Sequence, residues 1–173
     1  MADSNVTKRA LADSLKTLME SKSFAKISVG DICEGCNMNR KSFYYHFRDK
    51  YDLVNWIFYT EFVHTLNYSP DDNGWQHFID VCKYFYENKR FYSKALKIEG
   101  QNSFREYFKD ILESILFEYL KFYFADDKDS VFAAEFFTDA IISSLIRWLT
   151  SKKLSTPEDF AERVHRCVRV VKG

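Results

Sequence analysis

The chain has 173 residues and a mass of 20.6 kDa, with 25 basic and 25 acidic side chains and a formal charge of zero. Only 5 Gly and 2 Pro are present, against roughly 12 and 9 at average usage, so a turn-rich β sandwich or barrel is excluded. Aromatic residues reach 18%, enough for a substantial core, and exclude disorder over most of the length. An all-α fold with long helices and short connections is the expectation.

Zero net charge excludes a uniformly basic nucleic-acid coat, though not a local one. Residues 1–50 hold 9 basic and 6 acidic side chains; residues 51–173 hold 16 and 19. Any polyanion is therefore expected at the N-terminal end. The polar start MADSNVTKRALADSL has no apolar signal region. No apolar run approaches the roughly 20 residues of a membrane span. A cytoplasmic protein with four reduced cysteines follows as the expectation.

In chain order, Leu11, Leu15 and Leu18 recur at helical spacing and predict a first helix over Val6 to Lys22. Ser28-Val29-Gly30-Asp31 reads as a capping box opening a short helix with Ile32 and Cys33 inward. Gly35-Cys36-Asn37 ends it, Asn37 being suited to the left-handed conformation. Asn39 caps a second short helix, Arg40 to Phe47, held from behind by Phe43 and Phe47. Asp49-Lys50-Tyr51-Asp52 reads as another capping box, opening a helix that reaches about Leu66. A loop follows from Tyr68 to Gly74. Further helices are expected over Trp75–Asn88, Phe91–Ile98, Ser103–Phe124, Ser130–Ser151 and from Thr156 almost to the end, with Pro157 at the favoured first position.

Two short helices joined by a tight turn behind a longer one form a helix-turn-helix unit. A helix that enters the major groove must be short, braced from behind and polar in front. Arg40 to Phe47 meets this, leaving Arg40, Lys41, Ser42, Tyr44 and Tyr45 for the front and flanks, with Asn39 suited to phosphate. Residues 28–53, SVGDICEGCNMNRKSFYYHFRDKYDL, resemble the DNA-binding domain of TetR-family transcriptional regulators. The matching positions are Ser28, Ile32, Asn37-Met38-Asn39, Tyr44-Tyr45-His46-Phe47, Lys50, Asp52 and Leu53. Asn37 stands where Gly is usual in that family, and Lys41 stands where many members have Gly.

The resemblance implies a DNA-binding domain over residues 1–50 and a helical regulatory and dimerisation domain over 51–173. It implies that Ser28 and Lys50 hold phosphates, and that Arg40, Lys41 and Ser42 reach base edges or nearby backbone. Tyr44 and Tyr45 would pack on sugar-phosphate, with His46 on the same edge. The partner implied is a palindromic operator read by a homodimer. A narrower stretch, FYYHFRDKYDLVNWIFYTEF, is similar to TetR-type regulators of dihydroxyacetone kinase operons. That similarity implies an activator whose signal comes from a protein co-activator rather than a free ligand.

Three further groups of residues carry open alternatives. Trp56, Tyr59, Trp75, Phe78, Phe85, Phe104 and Phe108 either line an effector pocket or are plain core. Ala133, Phe137, Ala140, Ile141, Ser144, Leu145, Trp148, Phe160, Val164, Cys167, Val168 and Val171 either form a four-helix dimer interface or face their own core. Cys33-Glu34-Gly35-Cys36 lacks the second ligand pair a structural zinc needs and reads as packed thiols. No metal or cofactor is expected, because no Gly-rich phosphate loop, nucleophile elbow or metal-spaced His pair is present. A helical adaptor without DNA binding and, further off, a small helical enzyme are the competing functions.

Overall fold

The computed structural model describes residues 2–65, 74–124 and 126–170. Within them the chain forms α1 (Ala2–Ser21), α2 (Val29–Gly35), α3 (Arg40–His46), α4 (Lys50–Glu61), α5 (Gly74–Glu87), α6 (Lys89–Ala95), α7 (Phe104–Leu120), α8 (Asp127–Leu149) and α9 (Pro157–Val170). Short 3-10 turns occupy Phe24–Lys26 and Val63–Thr65. No strand occurs among the described residues, so the all-α expectation stands. The expected loop at Tyr68 to Gly74 lies almost wholly outside them.

The chain divides into two compact units. One combines residues 1–65 with 90–105; the other combines 66–89 with 106–173. These units divide the chain elsewhere than at the expected boundary, residue 50. α4 and α6 are built into the same unit as α1–α3, because their apolar residues complete its core. Phe58 meets Tyr92 and Phe104 at centroid distances of 6.0 and 5.3 Å, edge-on. Tyr92 and Phe104 are fully buried. The ammonium of Lys94 on α6 donates to the Met19 and Glu20 carbonyls at the C-terminal end of α1, where a cation satisfies orphan acceptors and opposes the helix dipole. Lys16 of α1 binds Glu61 of α4 at 2.5 Å.

In the second unit α5, α8 and α9 share a core. Trp75 stacks on His165 at 4.1 Å, Phe85 meets Phe108 edge-on at 5.2 Å, and Trp148 stacks flat on Phe160 at 4.5 Å. The Trp148 indole N–H donates to the Ser155 carbonyl at 3.1 Å, which satisfies its polar edge inside an apolar site.

Several helix limits differ from the expectations. α4 ends at Glu61 rather than near Leu66, and Phe62 leaves helical geometry. α7 ends at Leu120 rather than Phe124, and Ile115, Tyr119 and Phe122 are exposed. α8 starts at Asp127, one residue after its N-cap Asp126, earlier than Ser130. α9 begins at Pro157 as expected, with the Thr156 hydroxyl accepting from the Asp159 N–H at 3.1 Å.

Candidate nucleic-acid interface

α2 is opened by the expected capping box. The Ser28 hydroxyl accepts from the Asp31 N–H at 3.1 Å, and the Asp31 carboxylate accepts from the Ser28 N–H at 2.7 Å. The same carboxylate accepts from the Ser28 hydroxyl at 2.5 Å. These bonds, with the Lys22 charge, hold the Asp31 pKa down at about 2. Ser28, implied at a phosphate, thus has its proton committed to Asp31.

The turn out of α2 is a Schellman motif. Asn37 takes φ 54°, its N–H donates to Glu34 O at 3.1 Å, and the Met38 N–H reaches back to Cys33 O at 2.8 Å. Asn fills the left-handed position without the penalty a branched side chain would incur. Four residues, Cys36 to Asn39, then separate α2 from α3. α1 lies close behind. The Ser14 hydroxyl donates to the Ile32 carbonyl at 2.7 Å, and a Cβ at Gly35 would collide with that hydroxyl. Cys33 is buried and Cys36 half-buried, and burial pushes both thiols up. Packed, unreactive thiols in this close approach agree with that placement.

α3 is braced as expected. Phe43 is 0% exposed and Phe47 3%, their rings 5.7 Å apart. Phe47 in turn meets Trp56 of α4 edge-on at 5.7 Å, and the Lys8 ammonium lies 5.9 and 5.8 Å from these two rings. The opposite face is polar and open. Arg40 and Lys41 are exposed, Tyr44 is 59% and Tyr45 84% exposed, and Ser42 and His46 are half-buried. His46 meets Tyr45 edge-on at 4.9 Å. Exposing two tyrosines on one turn of a seven-residue helix is costly for a free surface and suited to a wet, partly apolar partner. The Asn39 side-chain oxygen caps α3 by accepting from the Ser42 N–H at 2.8 Å. Its amide N–H donors are not engaged in that cap.

One expectation at α4 needs correction. Asp49 caps the helix by accepting from Tyr51 N and Asp52 N at 2.8 and 2.9 Å. Asp52, however, reaches past Asp49 to the Arg48 N–H at 3.0 Å, so the reciprocal box is displaced by one residue. Lys50, which the resemblance implies at a phosphate, donates within the protein to the Phe24 and Ile27 carbonyls, each at 2.7 Å, with its charge 4.4 Å from the Phe24 ring. Partial burial pushes its pKa down, opposed by the Asp31 charge. Lys50 holds the connection between α1 and α2 in place.

The expected effector residues divide between the two units. Trp56, Tyr59 and Phe104 belong to the first unit; Trp75, Phe78, Phe85 and Phe108 belong to the second. Phe78, Phe85, Phe104 and Phe108 are buried core, Trp56 and Trp75 are half-buried and Tyr59 is exposed. The expected dimer residues divide likewise. Ala133, Ile141, Leu145, Trp148, Phe160 and Val168 are buried within their own protomer, so they face their own core. Phe137, Ser144 and Val164 are half-buried, Ala140 and Cys167 are exposed, and Val171 lies outside the described residues. The residues that sequence reasoning missed are Phe132 and Phe136, 68% and 58% exposed with stacked rings 6.4 Å apart. Their i, i+4 spacing was visible; which face of α8 the core would claim was not.

Comparison with known proteins gives the same picture. Residues 6–57 match the family described as bacterial regulatory proteins, tetR family. Residues 72–169 match the transcriptional regulator C-terminal region, TetR_C_8. The chain is 31% identical over 123 residues to the HTH-type dhaKLM operon transcriptional activator DhaS of Lactococcus lactis subsp. lactis (strain IL1403). That match covers 68% of this chain and 65% of the relative, so it spans just under two thirds of the relative's length. Among solved structures, the dihydroxyacetone kinase operon activator DhaS is 27% identical, with a TM-score of 0.64 and 95% of both chains covered. A TetR transcriptional regulator from Streptococcus agalactiae 2603V, at 22% identity and TM-score 0.75 over 96% of both chains, shares the fold. The short buttressed helix, its capped turn and the two family matches agree, and the chain belongs to the tetR family of bacterial regulatory proteins.

Proposed function

We propose that this regulator binds duplex DNA as a two-fold homodimer, entering adjacent major grooves with α3, and acts without catalysis of its own. The observation that carries this reading is the open face of α3. Arg40, Lys41, Tyr44 and Tyr45 are exposed on a helix whose back is held by Phe43 and Phe47. Lys41 and Arg40 supply charge to bases or phosphates, while Tyr44, Tyr45 and His46 follow the sugar-phosphate edge with Ser42. Asn39 offers its amide donors to phosphate. Two half-sites about 34–36 Å apart, or a multiple of that, would be occupied together.

The dimer contact is supported by the exposed stripe of α8. Phe132, Phe136, Ala140, Ser143 and Arg147 follow helical spacing and are all exposed. The N-terminal half of the helix is aromatic and acidic, with Asp127, Glu135 and Asp139 at the surface; the C-terminal half is small and ends in Arg147. Two copies packed antiparallel would set each Phe pair over the partner's small residues and each acidic half beside the partner's Arg147.

Likeness to DhaS, named as an operon activator, favours positive control of a dihydroxyacetone kinase operon. The C-terminal unit would receive its signal from a small molecule or a protein co-activator. A test uses duplexes from the DNA flanking the protein's own gene, titrated at several salt concentrations. We expect affinity to fall linearly on a log–log salt plot, as phosphate contacts release counterions. Lys41→Ala should weaken binding by about 1–3 kcal/mol. Binding unaffected by salt and by Lys41→Ala would favour the adaptor reading instead. A promoter fusion that rises, rather than falls, with the protein distinguishes activator from repressor.

A further inference from the structure

Gly30, which no expectation above had singled out, stands at the second position of α2. Glycine there weakens the helix relative to alanine, and no positive φ at Gly30 requires it. What occupies the space is Arg40. A Cβ added to Gly30 would stand 2.6 Å from Arg40 Nη2, 3.2 Å from Nε and 3.3 Å from Cζ. The guanidinium from the first residue of α3 therefore lies across the first turn of α2, in a notch left by the absent methyl group. Among the described residues no carboxylate pairs with it, so shape rather than an ion pair seats it. Its charge is nonetheless felt at the neighbouring Cys33 thiol.

An arginine on a free surface samples many rotamers and loses that freedom on binding. Resting the guanidinium in this notch removes part of that loss in advance. We propose that Gly30 is a positioning residue for DNA binding: its missing side chain seats the Arg40 guanidinium at the junction of α2 and α3, where it is pre-set for a phosphate of the duplex backbone. The inference rests on the DNA-binding reading above.

The collision at Gly30 falls on the far end of a flexible side chain, so the fold tolerates Gly30→Ala and only Arg40 moves. The experiment compares wild type, Gly30→Ala, Arg40→Ala and the double variant on one fluorescent duplex, recovered by the wild-type protein from a randomised pool. We expect Gly30→Ala to bind about two- to tenfold more weakly, the effect of releasing one seated, rotamer-rich side chain. Its melting temperature should be equal to or above that of wild type. In the Arg40→Ala background, adding Gly30→Ala should change nothing, since a cycle reports coupling only between groups that act on each other. Gly30→Ala binding as wild type does, weakening equally without Arg40, or melting below wild type would overturn the proposal. Failure of the wild type to recover any duplex would instead remove the DNA-binding reading, and the proposal with it.

Discussion

Asp31 shows how one carboxylate ties local structure to pH. Ser28 bonds and the Lys22 charge hold its folded pKa at about 2, against an ordinary value of 3.8. A depressed pKa means that the folded state favours the ionised form. Its contribution to stability is therefore present above pH 4 and is lost as pH falls from about 4 towards 2. Asp31→Asn should melt below wild type at pH 7, and the gap should close over that window in circular-dichroism melts. A gap that persists at pH 2 would assign the loss to something other than the charge. Ser28→Ala removes the N-cap oxygen and should cost about 1 kcal/mol at neutral pH. The roles of Ser28 and Lys50 also show what a family pattern hides. Both positions match, yet the Ser28 hydroxyl is spent on Asp31 and the Lys50 ammonium on two carbonyls. A pattern records a residue type; the bonds show what that side chain does within the fold.

Among the elements, α2 and α3 were read correctly in extent because their punctuation is local. The capping box at Ser28, the left-handed Asn37 and the cap at Asn39 involve residues within five positions of each other, so spacing determines them. The bracing of α3 was legible for a similar reason, since Phe43 and Phe47 are the apolar pair on that helix. Gly35 was less transparent. It looked like a helix terminator, and Asn37 performs that function. Gly35 instead lets α1 approach, with the Ser14 hydroxyl where a Cβ would stand. Gly35→Ala should therefore destabilise by about 1–3 kcal/mol, the usual cost of overpacking a tight contact, although alanine favours helix. Denaturant unfolding measures the balance, and a gain in stability would show the contact to be loose. α7 and α8 carry aromatics around much of their circumference, and periodicity cannot choose between two apolar faces, so the facing of α8 stays open in the sequence.

For the whole molecule, the two-fold pairing proposed through α8 makes a prediction that separates dimerisation from reading. Phe136→Glu puts a charge into the proposed contact without touching α3. Light scattering should report a monomer. Affinity for a duplex with two half-sites should fall by about 10²-fold or more, because the second contact is no longer intramolecular. Affinity for a single half-site should be unchanged. A Phe136→Glu protein that stays dimeric would move the contact elsewhere. Helix content, the tight turn and the buttressed reader were all written in the order of residues, because each depends on hydrogen bonds and spacing within a few positions. The discontinuous unit that joins residues 90–105 to the reader, the claim of the core on Ile141, Leu145 and Trp148, and the seating of Arg40 over Gly30 emerged only in three dimensions. Each depends on which distant surfaces meet, and an amphipathic stripe states that it will be covered without saying by what.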